Sequence, residues 1–150
     1  DYVQYGMNPQ VVPIFSISGH ESAIKAVGNA GIGNFASFDY FNTIDTPESK
    51  AFIAKYEQLF GTETPVTNSA EGAYHGTYML AKAMGSAAAL TPEAIVAAAA
   101  NMELKTPAGI IRMDAQNHHA WLPVYLGRIN ENLRYDILYT SDGLVAPIPE

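Results

Sequence analysis

The sequence predicts a mixed α/β fold, and three observations carry that reading. An apolar β-type run, a short helical stretch and a second β-type run follow one another between residues 11 and 41. Three stretches of helical period then occupy residues 45–102. After Pro107 the texture changes to β-formers in alternating or continuous apolar runs. The order is β-α-β, three helices, then an antiparallel β element. It resembles a slice of an α/β sheet with an addition rather than one complete layer architecture.

Each element has its own local reason. Tyr2-Val3-Gln4-Tyr5 before Gly6 reads as the last turn of a helix closed by a glycine. Val11-Val12-Pro13-Ile14-Phe15-Ser16 reads as a short buried strand, although Pro13 has no N–H to give a ladder. Ser18-Gly19-His20-Glu21 is a turn, 21–27 a short helix, 28–34 a glycine-rich connection and 35–41 a strand. Asp45 is expected to cap the next helix, with Pro47 in its first turn and Glu48 completing a capping box. Phe52, Tyr56, Leu59 and Phe60 recur at the helical period until Gly61. A helix over 69–84 carries Ala73, Thr77, Leu80, Ala81 and Met84 on its apolar face, and Thr91-Pro92-Glu93 opens another that runs to about 102. Strands are expected at 109–113, 122–129 and 133–139, the last two joined by Asn130-Glu131-Asn132. Residues 142–150 are proline-rich and extended.

Composition narrows the function classes. The 150 residues suit one domain, and 48% hydrophobic content excludes a disordered chain. Charged residues make up only 15%, below the ~25% usual for soluble domains, so another domain or subunit is expected to cover part of the surface. Eight Lys+Arg against 15 Asp+Glu give −7 with no basic run, which argues against nucleic acid and against an anionic membrane surface as partners. With no cysteine there is no disulfide, thiol catalysis or Cys-based metal site. No apolar run reaches the ~18 residues of a membrane-spanning helix. The chain opens at Asp1 on what looks like the end of a helix, so it is expected to begin within a longer protein.

Few residues suggest chemistry. His118 and His119 follow Asp114, but adjacent histidines on a strand point to opposite faces, and a turn with one buried histidine is the favoured reading over a metal site. His75 is read as helix surface or domain interface. Gly28-x-x-Gly31-x-Gly33 follows a helix and precedes a strand, the reverse of a dinucleotide loop, so it is a connection. Ser16 and Ser18 lack the elbow of a catalytic serine. They do sit at the carboxyl end of a strand, where α/β sheets bind ligands. With the amides of Gly19, His20 and Glu21 they would form a polar cup, with Asp39 and Tyr40 at the end of the next strand.

Several segments resemble a known family. Pro13-Ile14-Phe15-Ser16-Ile17-Ser18 and the run from Phe38-Asp39-Tyr40-Phe41 through Asp45-Thr46-Pro47-Glu48 to Phe52 resemble second-lobe segments of type I periplasmic binding proteins. Glu71-Gly72-Ala73-Tyr74 resembles the start of the family's following helix. Pro107-Ala108-Gly109-Ile110-Ile111-Arg112-Met113-Asp114-Ala115-Gln116-Asn117-His118-His119 is similar to a stretch of the urea and short-chain amide branch of the branched-chain amino acid ABC transporter binding proteins. The tail from Tyr139 to Pro149 is similar to that branch's ending, with Gly143 and Ala146 as departures.

The resemblance implies that residues 1–150 are the C-terminal fragment of a two-lobed solute-binding domain, a partial type I fold made of the second lobe and hinge-crossing segments. Ser16, Ser18 and Gly19 match the loop that faces the ligand, and Tyr40 an aromatic position near the cleft. The helix over 69–84 would lie against the absent lobe. The implied function is capture of urea, a short-chain amide or an amino acid-like solute by lobe closure, with no catalysis, cofactor or metal. An ABC transporter permease would be the partner, and the missing N-terminal lobe or a second copy of the chain would cover the apolar surface. The place would be the periplasm or the cell exterior, with or without a lipid anchor. A cytoplasmic amide-sensing regulator of amidase expression would use the same fold, and an enzyme using Ser16 or His119 is the third reading.

Overall fold

The structure, a computed structural model, describes residues 2–148. Two sheets divide the strands. Strands β1 (Phe15–Ser16), β2 (Phe35–Phe38), β6 (Tyr125–Ile129) and β7 (Tyr135–Thr140) lie side by side in that order. Strands β3 (Glu103–Thr106), β4 (Gly109–Met113) and β5 (Ala120–Trp121) form the second sheet. Helices α1 (Glu21–Val27), α2 (Pro47–Phe60), α3 (Asn68–Ser86) and α4 (Pro92–Ala99) connect them. β1 and β2 run parallel across α1, whereas β2–β6 and β6–β7 are antiparallel.

The single antiparallel element expected at the C-terminal end is instead shared between the sheets. Pro123 cannot donate to a ladder, so the strand expected at 122–129 breaks into β5 before it and β6 after it. β3 was not foreseen. It pairs with β4 from Glu103↔Arg112 to Thr106↔Gly109, leaving Pro107-Ala108 as a two-residue hairpin turn with Gly109 at φ +120°. The strand expected at 11–16 shrinks to β1 and is exposed rather than buried, with Phe15 60% accessible. Pro13 limits its pairing, and β1 is the edge of its sheet among the described residues. Tyr2 to Gly6 form turns, not a helix end, closed by the Gly6 N–H on the Val3 carbonyl.

Threonines start the three longer helices. Thr46, rather than Asp45, caps α2 by accepting the Ser49 N–H at 3.1 Å, and Asp45 pairs with Lys50. Thr67 and Thr91 cap α3 and α4 in the same way. α4 ends before 102 because Asn101 turns to φ +58° and gives its N–H to the Met113 carbonyl.

The core lies on the first sheet, where Ile24, Ala36, Phe41, Ile44, Val66, Ile129 and Tyr135 cluster. Phe41 and Tyr135 pack with ring centroids 4.5 Å apart. They cross Gly127 so closely that a Cβ there would stand 2.9 Å from Tyr135 and 3.0 Å from Phe41, which is why β6 needs glycine at this point. The second sheet has a thinner interior. Met79 and Ala83 of α3 and Ile111 of β4 are buried, α4 buries no residue fully, and an apolar groove of about 330 Å³ opens between α3, α4 and the sheet.

Candidate functional site

The chain leaves β1 at its carboxyl end in a turn that Ser16 organises. The Ser16 Oγ accepts the Ser18 N–H at 3.1 Å and the Gly19 N–H at 2.8 Å. A serine hydroxyl has two acceptor positions and one proton, so this leaves the proton of Ser16 free to donate. Gly19 is required here because a Cβ would meet the Ser16 Oγ at 3.0 Å. The Ser18 carbonyl accepts the His20 N–H at 3.0 Å, and Tyr135 gives its hydroxyl to the Gly19 carbonyl from β7. Ile17 and Ser18 stand out from the turn, Ile17 being 80% accessible.

The polar cup is therefore smaller than the sequence suggests. Two of its three expected amides, Gly19 and His20, are already spent inside the turn. What it presents is hydroxyl: Ser18, which is exposed, and the half-buried Ser16. Behind them sits Glu21, only 7% accessible. One oxygen of its carboxylate accepts the Asn42 N–H at 2.9 Å. The other has no partner, and neither does the buried Nδ1 of His20. Burial pushes the Glu21 carboxyl up to about 7, against the opposing pull of the Asn42 amide and the more distant Arg134.

Tyr40 is a correction. It is fully buried in the core, its hydroxyl lies 3.1 Å from the Ser49 Oγ, and burial pushes that hydroxyl up to about 12. β2 ends at Phe38, so the chain has already turned and Tyr40 packs beneath α2, edge-on to Phe52 at 6.4 Å. Asp39 also leaves the cup: it faces Asn68, Glu71 and His75 of α3. His75, read as helix surface or interface, is half-buried and bound to Glu71.

His118 and His119 lie in a turn that Asp114 holds. Its Oδ1 accepts the amides of Gln116 at 2.8 Å and Asn117 at 3.1 Å, and its Oδ2 accepts the Trp121 indole N–H at 2.9 Å. Those hydrogen bonds keep the Asp114 carboxyl below the usual carboxylate range. Gly28 to Gly31 form a 3-10 turn, the connection that the strand and helix order implies.

A concavity of about 1080 Å³ lies elsewhere, between α2 and the β6–β7 hairpin, with Thr46, Lys50, Ile53, Arg134 and Ile137 among its walls. None of Ser16, Ser18 or Gly19 lines it. The Ser16–Gly19 turn is one open wall rather than an enclosed site. Sequence reasoning missed Asn42 and Tyr135, which fix this turn from 21 and 116 residues away, and no local pattern announces either.

Comparison with known proteins supplies the context. The family described as "Periplasmic binding protein domain" matches residues 1–149. The chain is 24% identical over 131 residues to the Leu/Ile/Val-binding protein homolog 6 of Brucella abortus, covering 85% of this chain and 34% of that protein. It is 26% identical over 117 residues to a protein named limonene hydroxylase from Geobacillus stearothermophilus, covering 78% of this chain and 21% of that one. Among solved structures, the solute binding protein of an ABC transporter from R. palustris in complex with 4-hydroxybenzoate superposes with TM-score 0.83 at 25% identity, over 95% of this chain and 40% of that one. The chain thus spans about a third or less of the curated relatives it matches.

Proposed function

Because the chain belongs to the periplasmic binding protein domain family, we propose that it supplies the C-terminal part, residues 1–150, of a two-lobed solute-binding component of an ABC uptake system. The component works in the periplasm or at the cell exterior and delivers its solute to a permease. It captures a small polar solute by lobe closure and has no catalytic step. Closure is a population shift towards the state in which ligand touches both lobes.

The observation that carries this reading is the Ser16–Gly19 turn at the carboxyl end of β1. It presents the exposed Ser18 hydroxyl beside the half-buried Ser16. Such a wall donates to a carbonyl or carboxylate oxygen and accepts from N–H groups without a fixed charge. That chemistry suits urea, a short-chain amide or an amino acid-like solute, with Glu21 behind the turn to meet an amino group. The R. palustris solute binding protein is in complex with 4-hydroxybenzoate, likewise a small molecule with oxygen acceptors.

Isothermal titration of the full-length protein with urea, acetamide, leucine and 4-hydroxybenzoate tests the proposal. Heat of binding is expected with at least one of them, and Ser18→Ala is expected to weaken that binding roughly fivefold to tenfold, the worth of one hydrogen bond. Silence with all four removes the solute assignment. Unchanged affinity in Ser18→Ala moves the contact away from this turn.

A further inference from the structure

The first turns of α3 carry a carboxylate that solvent does not reach. Glu71 is fully buried. Its Oε2 lies 2.8 Å from the His75 Nδ1, and its Oε1 accepts the Ala108 N–H at 3.4 Å from the β3–β4 turn. Thr106 Oγ1 shares that amide at 3.2 Å. Tyr125, the first residue of β6, gives its hydroxyl to the Ala108 carbonyl at 2.8 Å. Asp39, one residue beyond β2, lies within the electrostatic reach of Glu71 and His75. The end of β2 and the start of β6 thus meet α3 and the hairpin turn of the second sheet at one cluster.

The charges in this cluster do not balance without a proton. A protonated His75 sets one imidazolium against two carboxylates. No lysine or arginine is among the groups that act on His75 and Asp39 here. The remaining titratable groups are Tyr40, Tyr74 and Tyr125, which feel the field of Glu71, and His118, which shares the apolar groove with His75. Burial works against the charge on His75, but the hydrogen bond and field of Glu71, with Asp39 behind them, outweigh it and hold its pKa above the ordinary 6.5. Burial, with Glu71 adding to it, also holds the Asp39 carboxyl above the usual carboxylate range.

We propose that Glu71, His75 and Asp39 form a proton-operated clasp, which locks the two sheets together while His75 is charged and loosens when His75 is neutral. A neutral imidazole still donates one hydrogen bond, but its charge is gone. The buried Glu71 carboxylate then loses its counter-charge in a poorly hydrated site, with the field of Asp39 acting against it. Asp39 belongs to the first sheet, and Glu71 to the helix that packs on α4 and β3, so the repulsion acts across the junction. The clasp is internal to the chain and holds whichever solute, if any, the protein takes.

Amide hydrogen exchange of the full chain, corrected for the intrinsic pH dependence of exchange, reads the clasp at the Ala108 N–H, with the amides of β2 as internal reference. Protection at Ala108 relative to β2 is expected to fall about tenfold or more from about pH 6 to about pH 9. NMR titration of the unmodified chain is expected to place the His75 imidazole above its ordinary 6.5, and Asp39→Asn to lower that value and flatten the exchange profile. A protection ratio that does not change with pH overturns the proposal. So does a His75 that titrates at or below 6.5, which the unmodified chain reveals even if the variant fails to fold. An Asp39→Asn profile identical to that of the original chain overturns it as well.

Discussion

The two sheets of this chain solve the problem of burial differently. The first builds a buried centre although its edge strand β1 stays exposed: α1 and α2 bring Ile24, Phe52 and Tyr56 against Ala36, Phe41, Ile129 and Tyr135, and the aromatic rings meet edge-on or tilted. The second is covered on too little of its surface. α4 is half alanine and hides little, Tyr78, Leu80, Met84 and Val96 remain exposed on the helices around it, and Leu90 is exposed between them. A low share of charged residues is what such a face requires, so the composition and the geometry agree. Low charge in a sequence therefore reports where burial is unfinished as well as where it is complete.

Substitution on the two sides makes the contrast quantitative. Phe41→Ala removes a fully buried ring from between Phe38 and Tyr135 and is expected to cost about 3–5 kcal/mol. Leu80→Ala, on the exposed face of α3, is expected to stay within about 0.5 kcal/mol. Urea unfolding of both variants measures the difference, and equal losses would erase the distinction between the two interiors.

The pH dependence of stability sharpens the same comparison from the side of the first sheet. Burial raises the Glu21 carboxyl from its ordinary 4.5 to about 7, so the folded chain holds that proton more tightly than the unfolded chain. The contribution is complete below pH 4.5, declines as pH rises and is gone above about pH 7, a total on the order of 3 kcal/mol. Asp39 and His75 are raised as well and tilt the curve in the same direction. Glu21→Gln isolates the Glu21 share: the difference between the two unfolding curves should open across that window, and parallel curves would mean that Glu21 is not buried in this way.

The smallest effect concerns a helix start. Thr46→Ala removes the side-chain acceptor of the Ser49 amide and is expected to cost about 1 kcal/mol. Asp45→Ala removes only an exposed pair with Lys50 and should fall below about half of that. Thermal unfolding of the two variants decides between the residues, and the reverse order would restore Asp45 as the cap.

Much of the fold was legible because its signals are local. Thr91-Pro92-Glu93 announces α4 through cap and first-turn chemistry, and Phe52, Tyr56 and Phe60 announce α2 through their period. Gly61 ends α2 at φ +80°, as a glycine stop should. β3 escaped because Glu103-Leu104-Lys105-Thr106 has no apolar run, and its strand state comes from pairing with β4. Half of the candidate site was legible: Ser16, Ser18 and Gly19 stand at a strand end, as their order in the chain implies. Tyr40 was misplaced, since two residues beyond the end of β2 the backbone reverses and carries the ring inward.

The amino-acid order alone determined the α/β class, the place of the four helices, the family resemblance and the shortage of charge, because each follows from neighbours within a few residues or from composition. Only the tertiary structure decided that β6 joins β2 rather than β5, that Tyr135 reaches Gly19, and that Glu71 meets Ala108 and faces Asp39. These contacts join residues far apart in the chain, and they form only when burial of the aromatic cluster of the first sheet brings those segments together.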